Sequence, residues 1–219
     1  SNKPPSLKWQ RYAKDVLPMW VADMDLCSPP AVVEALTKAS QEGIFGYGKV
    51  PAELNSAFIN WCKTEYDWQV EEDWLVWLPG VVPGFNLAVE AWLQKASGLL
   101  VQTPVYPPIK SLANLRGLTS QEASVETSFT QLAANWPEDT AALVLCNPQN
   151  PLGKVYSREE LLELNQLAKE KNLLVISDDI WADLILQPGL KHTPYASLNE
   201  SAAMHSITLM AASKTFNIA

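Results

Sequence analysis

The chain has 219 residues, 47% of them hydrophobic, enough to bury one large core or one and a half. With 18% charged residues and a net charge of −8, it is neither a disordered chain nor a basic one of the kind that coats nucleic acid or docks on an anionic membrane. Cys27, Cys62 and Cys146 form no CxxC pair, His192 and His205 have no metal-ligand spacing, and no long apolar run occurs; the expectation is a cytoplasmic protein with reduced thiols, no zinc and no membrane span.

Residues 1–30 carry Pro4-Pro5, Pro18 and Pro29-Pro30 and read as an extended arm. Pro29-Pro30 opens a helix, with Ser28 as candidate cap, Val32, Val33, Leu36 and Ala39 at helical spacing, and Gly43 as its stop. A second helix runs from Pro51 to about Tyr66. Trp74 to Leu78 is an apolar run ended by Pro79-Gly80 and reads as a buried strand, followed by a helix from Val82 to Leu93. Gly98 to Thr103 is the next strand, Pro107-Pro108 opens a helix to about Leu115, and a weak strand signal lies near Ser120 to Val125. Ala141 to Cys146 is a strand. Ser157 and Glu160 form a capping box for a helix to about Lys171, and Leu173 to Ser177 and Ser206 to Met210 are strands. Apolar strands alternating with amphipathic helices predict an α/β fold with a mainly parallel sheet covered on both faces.

In such sheets ligands sit beyond the carboxyl ends of the strands. There the polar residues collect: Pro79 to Gly84, Pro104-Val-Tyr106, Asn147 to Gly153, Asp178-Asp179 and Ala211 to Lys214. No GxGxxG, P-loop or GxSxG motif is present, so dinucleotide, P-loop and serine-hydrolase chemistry is unsupported. A turn at a helix N-terminus, an aromatic, an amide, a carboxylate and a lysine remain. Pyridoxal 5'-phosphate (PLP) needs such a set: its phosphate held, its ring stacked, its pyridine nitrogen kept protonated by a carboxylate, and a lysine for a Schiff base.

Seven segments, in order, carry a resemblance: Trp20-Val-Ala-Asp-Met-Asp25, Gly43-Ile-Phe-Gly-Tyr47, Pro79-Gly-Val-Val-Pro83, Pro104-Val-Tyr-Pro-Pro108, Cys146-Asn-Pro-Gln-Asn-Pro-Leu-Gly153, Ile176-Ser-Asp-Asp-Ile180 and Ser213-Lys-Thr-Phe-Asn-Ile-Ala219. The chain resembles the MalY/PatB, cystathionine β-lyase-like group of fold-type I PLP enzymes, within the class I/II aminotransferases. The resemblance implies a three-layer α/β/α large domain over 31–219, an arm over 1–30, and a fold that continues past the last residue into a small domain, so that the chain alone is expected to be inactive. It implies Lys214 as the Schiff-base lysine, Asp178 on the pyridine nitrogen, Asn150 on the phenolic oxygen and Tyr106 on the ring face. Backbone amides of Val81 and Val82 would hold the phosphate, with help from the Ser213 hydroxyl. Tyr47 would reach the phosphate of a second subunit in a homodimer, and Trp20 to Asp25 would line the substrate entrance.

The implied reaction is α,β-elimination from a sulfur amino acid, giving pyruvate, ammonia and a thiol. An aminotransferase on the same scaffold, or a PLP-fold regulatory protein without catalysis, stays open at this point. The run Asp178-Asp179-Ile180-Trp181 departs from the family pattern, which has Asp-Glu and then His or Tyr three residues after the ring aspartate. Trp181 stands where members carry His or Tyr, and an indole N–H donates to the ring oxygen but cannot accept from it.

Overall fold

The computed structural model describes residues 6–218. Two compact units divide the chain, one made of Ser1–Tyr47 with Ala212–Ala219 and the other of Gly48–Ala211.

The larger unit holds the sheet. Its helices are α3 (Ala52–Tyr66), α4 (Val81–Trp92), α5 (Pro107–Arg116), α6 (Phe129–Ala134), α7 (Arg158–Lys171) and α8 (Glu200–Met204); α1 and α2 belong to the other unit, below. Its strands are β1 (Gly98–Thr103), β2 (Thr119–Ser124), β3 (Thr140–Cys146), β4 (Leu174–Asp178) and β5 (Ser206–Leu209). Every pairing is parallel, in the order β2-β1-β3-β4-β5. The order reverses between β1 and β3, and such a switch point opens a crevice at the strand ends.

The period-2 alternation of the strands builds two cores. Leu99, Val101, Val144, Cys146 and Ile176 face α4 and α5 on one side. Leu100, Leu143, Leu145 and Val175 face α6, α7 and the segment near Tyr195 on the other. Strands buried on both faces carry no polar stripe, which is why they read as unbroken apolar runs in the sequence. The Ser157–Glu160 capping box forms as expected. A second one, Ser128 with Gln131, starts α6; its S-x-x-Q spacing is present in the sequence, but the short helix behind it hides the signal.

The expected strand at Trp74 to Leu78 does not form. A single 3-10 turn covers Glu72–Trp74, and the residues after it pair with no strand. Leu75 packs beside Cys62, Trp68 and Val70, while Trp77 donates its indole N–H to Asn55 at 2.8 Å and meets the edge of Phe58. Trp77 is thus committed to α3 rather than to a sheet, a choice that apolar composition alone cannot reveal.

The smaller unit contains α1 (Leu7–Gln10), α2 (Pro30–Glu42) and α9 (Ala212–Thr215). Gly43 ends α2 in the left-handed conformation, as expected. Ser28 does not cap α2: Pro29 occupies the cap position, and the Ser28 hydroxyl donates instead to the Asn217 carbonyl at 2.8 Å. Asn217 returns a bond to the Leu26 carbonyl, so the arm is laced to the segment after α9.

Candidate functional site

In the larger unit the carboxyl ends of β1, β3 and β4 lead into Tyr106, Asn150 and Asp178, and α4 begins at Val81. Asp178 is the most informative. It shares the sheet face of Ile176 and Cys146, is 4% exposed, and its carboxylate accepts one long bond, 3.3 Å from the Ile180 N–H. Burial, and then the charge of Asp179, push it up to about 7. A buried carboxyl with so little compensation suits a cationic N–H partner.

The start of α4 is open to an anion. The first N–H groups of a helix have no partner within it, no side chain caps α4, and no acidic residue stands in its first turn. Gly80 precedes it at φ +149°, a conformation other residues rarely adopt. Gly84 serves packing instead: a Cβ there would lie 2.9 Å from a Leu209 methyl. Val81 is buried and Val82 half exposed.

Tyr106 sits at the N-cap of α5, partly exposed. The Asn150 carboxamide makes no hydrogen bond among the described residues, while its backbone N–H is tied to the Cys146 sulfur at 3.4 Å and its carbonyl to the Gln149 amide. Gln149 also donates to the Pro104 carbonyl and accepts from Leu152, which joins the loop after β3 to the end of β1. Asn147 is wholly buried; its side-chain oxygen accepts from Tyr156 N–H at 3.1 Å, and its amide nitrogen has no partner among the described residues. Asn150 and Trp181 line an open cleft of about 410 Å³ whose walls are mostly apolar, including Pro148, Pro151, Leu184 and Ile185. Asp178 and Tyr106 do not line it.

Cys146 is a core thiol, pushed up to about 12 by burial and by Asp178. His192 is not a surface residue. Its Nε2 lies 2.7 Å from Asp179 Oδ2, with both side chains fully buried, and Ser177 donates to the other Asp179 oxygen. Sequence spacing gave no sign of this pairing, because the partners stand 13 positions apart with irregular chain between them.

In the smaller unit Lys214 lies on α9 and donates to the Ala22 carbonyl at 3.0 Å, within the Trp20–Asp25 segment. That segment is clamped: buried Lys8 bonds the Asp23 carbonyl and pairs with Asp25 at 2.7 Å, Trp9 donates to Asp25, and Arg11 lies over the Trp20 ring at 4.7 Å. The Lys8–Asp25 pair went unread in the sequence because the partners stand 17 positions apart with mostly irregular chain between them. Ser213 is half-buried, and Tyr47 is fully exposed.

Uncommitted Asp178, the uncapped α4 terminus and the unbonded Asn150 amide fit the ring nitrogen, phosphate and phenolic oxygen of PLP. Among the described residues no group of His, Cys, Asp and Glu forms a metal cluster, and no helix is long and apolar enough to cross a membrane.

Comparison with known proteins agrees with this reading. The family model for aminotransferase class I and II matches residues 14–219. Cystathionine beta-lyase PatB of Bacillus subtilis is 38% identical over 98% of this chain and 58% of its own length. The crystal structure of OvoB superposes with a TM-score of 0.93 at 39% identity, covering 98% of this chain and 59% of that one. Cystalysin from Treponema denticola, whose crystal structure contains a PLP cofactor, gives 0.91 at 31% identity over 98% and 58%. The chain therefore spans a little under three fifths of these relatives. The resemblance to the MalY/PatB group and the fold-type I architecture expected from the sequence are borne out, and the chain belongs to the aminotransferase class I and II family.

Proposed function

We propose that the chain is the cofactor-binding part of a cytoplasmic, homodimeric PLP-dependent carbon–sulfur β-lyase, with 31–219 as the large domain and 1–30 as an arm. The observation that carries this reading is the buried, nearly unpartnered Asp178 at a strand end, in a chain similar to a cystathionine β-lyase.

When bound, PLP supplies an electron sink for charge developing at the substrate α-carbon. Asp178 keeps a proton on the ring nitrogen, and a carboxyl whose proton affinity is raised by burial gains from that ion pair. The Val81 and Val82 N–H groups and the Ser213 hydroxyl bind the phosphate. Tyr106 covers the ring face, and Asn150 and the Trp181 indole donate to the phenolic oxygen. Lys214 would hold the cofactor, and its free amine would carry the substrate α-proton away as a thiolate leaves the β-carbon. Tyr47 reaches the phosphate bound by the partner subunit.

The test is to supply the whole PLP-loaded enzyme, of which this chain is proposed to be the cofactor-binding part, with cystathionine and follow its products. Pyruvate, ammonia and a thiol in equal amounts are expected. Transfer of the amino group to a keto acid without thiol release would replace the lyase reading by an aminotransferase.

A further inference from the structure

The end of β4 presents two adjacent acids, and the alternation of a strand sends them to opposite faces. Asp178 faces the Cys146 side. Asp179, whose N–H continues the ladder to the Leu209 carbonyl at 2.9 Å, faces the Ser177 side. Two buried carboxylates so close raise each other's proton affinity, and they do so less the better one of them is compensated. Asp179 is compensated in part, by Ser177 on one oxygen and by His192 Nε2 on the other.

A carboxylate has no proton to give, so the imidazole is the donor at Nε2. The ring is held there from α3. Tyr66 meets it edge-on at 5.6 Å between centroids, and the Tyr66 hydroxyl donates to Asp183, which also accepts from Trp61 Nε1 at 3.0 Å. Cys62, fully buried on α3, lies within the charge field of Asp183 and Asp179. The titratable groups around the pair are thus Asp178, Asp183, Tyr66, Cys62 and, on the Asp178 face, Cys146. Asp183 ties the turn after β4 to α3, and His192 ties the strand end itself.

We propose that His192 is a positioning residue for Asp178: by binding Asp179 on the opposite face, it fixes the end of β4 and leaves Asp178 as the single uncommitted carboxylate there. The inference rests on the reading of Asp178 as the partner of the PLP ring nitrogen. His192 touches neither substrate nor cofactor in this account; it acts through Asp179.

Carboxyl carbon NMR of the PLP-free chain, titrated with acid, tests it for wild type, His192→Leu, His192→Gln and Asp179→Asn. His192→Leu is expected to raise the pH at which the Asp178–Asp179 pair takes up its first proton by about one unit. His192→Gln, which keeps a donor, restores the wild-type curve, and Asp179→Asn lowers the Asp178 midpoint by removing the like charge. PLP affinity should fall about tenfold in His192→Leu and less than about threefold in His192→Gln. Identical titrations for wild type and His192→Leu, or no difference between the Leu and Gln variants, would overturn the proposal. Should His192→Leu not fold, His192→Ala takes its place, and a wild-type titration in that variant overturns the proposal equally. Failure of the wild type to bind PLP would contradict the proposed function, while the carboxyl titration would still decide the role of His192.

Discussion

Asp178 combines a cost in stability with a use in binding. The folded chain keeps it protonated up to about pH 7, whereas the unfolded chain releases the proton near 3.8. Between these values the unfolded state binds fewer protons, so stability is full below the lower value and is lost as pH rises through the upper one. The loss is on the order of a few kcal/mol. Asp178→Asn should therefore melt higher than wild type at pH 8 and no higher at pH 4, by calorimetry of the PLP-free chain, while binding PLP more weakly. Equal melting at both pH values would mean that Asp178 is already compensated. The sequence made Asp178 readable because an acid ends an apolar strand. His192 was not readable, since nothing in Lys191-His-Thr-Pro194 says that the imidazole turns inward to an acid 13 residues earlier.

At the scale of elements, the longer helices with caps and stops were legible, whereas the short α6 and the run without a partner were not. Gly43, the Pro107-Pro108 start and the Ser157–Glu160 box act locally, so their residues decide the outcome alone. Ser157→Ala should cost about 1 kcal/mol in denaturant unfolding, the usual worth of such a cap. Trp74 to Leu78 failed as a strand because pairing is a tertiary property, and Trp77 is engaged by Asn55 and Phe58 instead. Gly80 joins element to site, since its φ of +149° delivers the chain into α4 with the first N–H groups uncovered. Gly80→Ala should destabilise the chain by about 1–3 kcal/mol and weaken PLP binding together. Stability lost with phosphate binding unchanged would separate the turn from the site.

The whole molecule protects two of its three thiols. Cys62 and Cys146 are buried, and burial with neighbouring carboxylates pushes both up to about 12, whereas Cys27 is exposed. A chromogenic disulfide reagent at pH 8 should titrate one thiol in the native chain and three after denaturation. Fast reaction of a second thiol in the native state would contradict the burial of Cys146 in the sheet core or of Cys62 beside Trp68 and Val70. The parallel α/β class was legible because each doubly buried strand shows as an apolar run between helices. The division into units was hidden, because the last helix joins the N-terminal arm rather than the sheet that precedes it. The central claim is that Lys214 bears the cofactor. Borohydride reduction of the chain after addition of PLP, followed by peptide mass mapping, tests it most directly. A pyridoxyl group on Lys214, lost in Lys214→Ala, is the predicted result; no adduct, or one on another lysine that survives the substitution, would contradict the account.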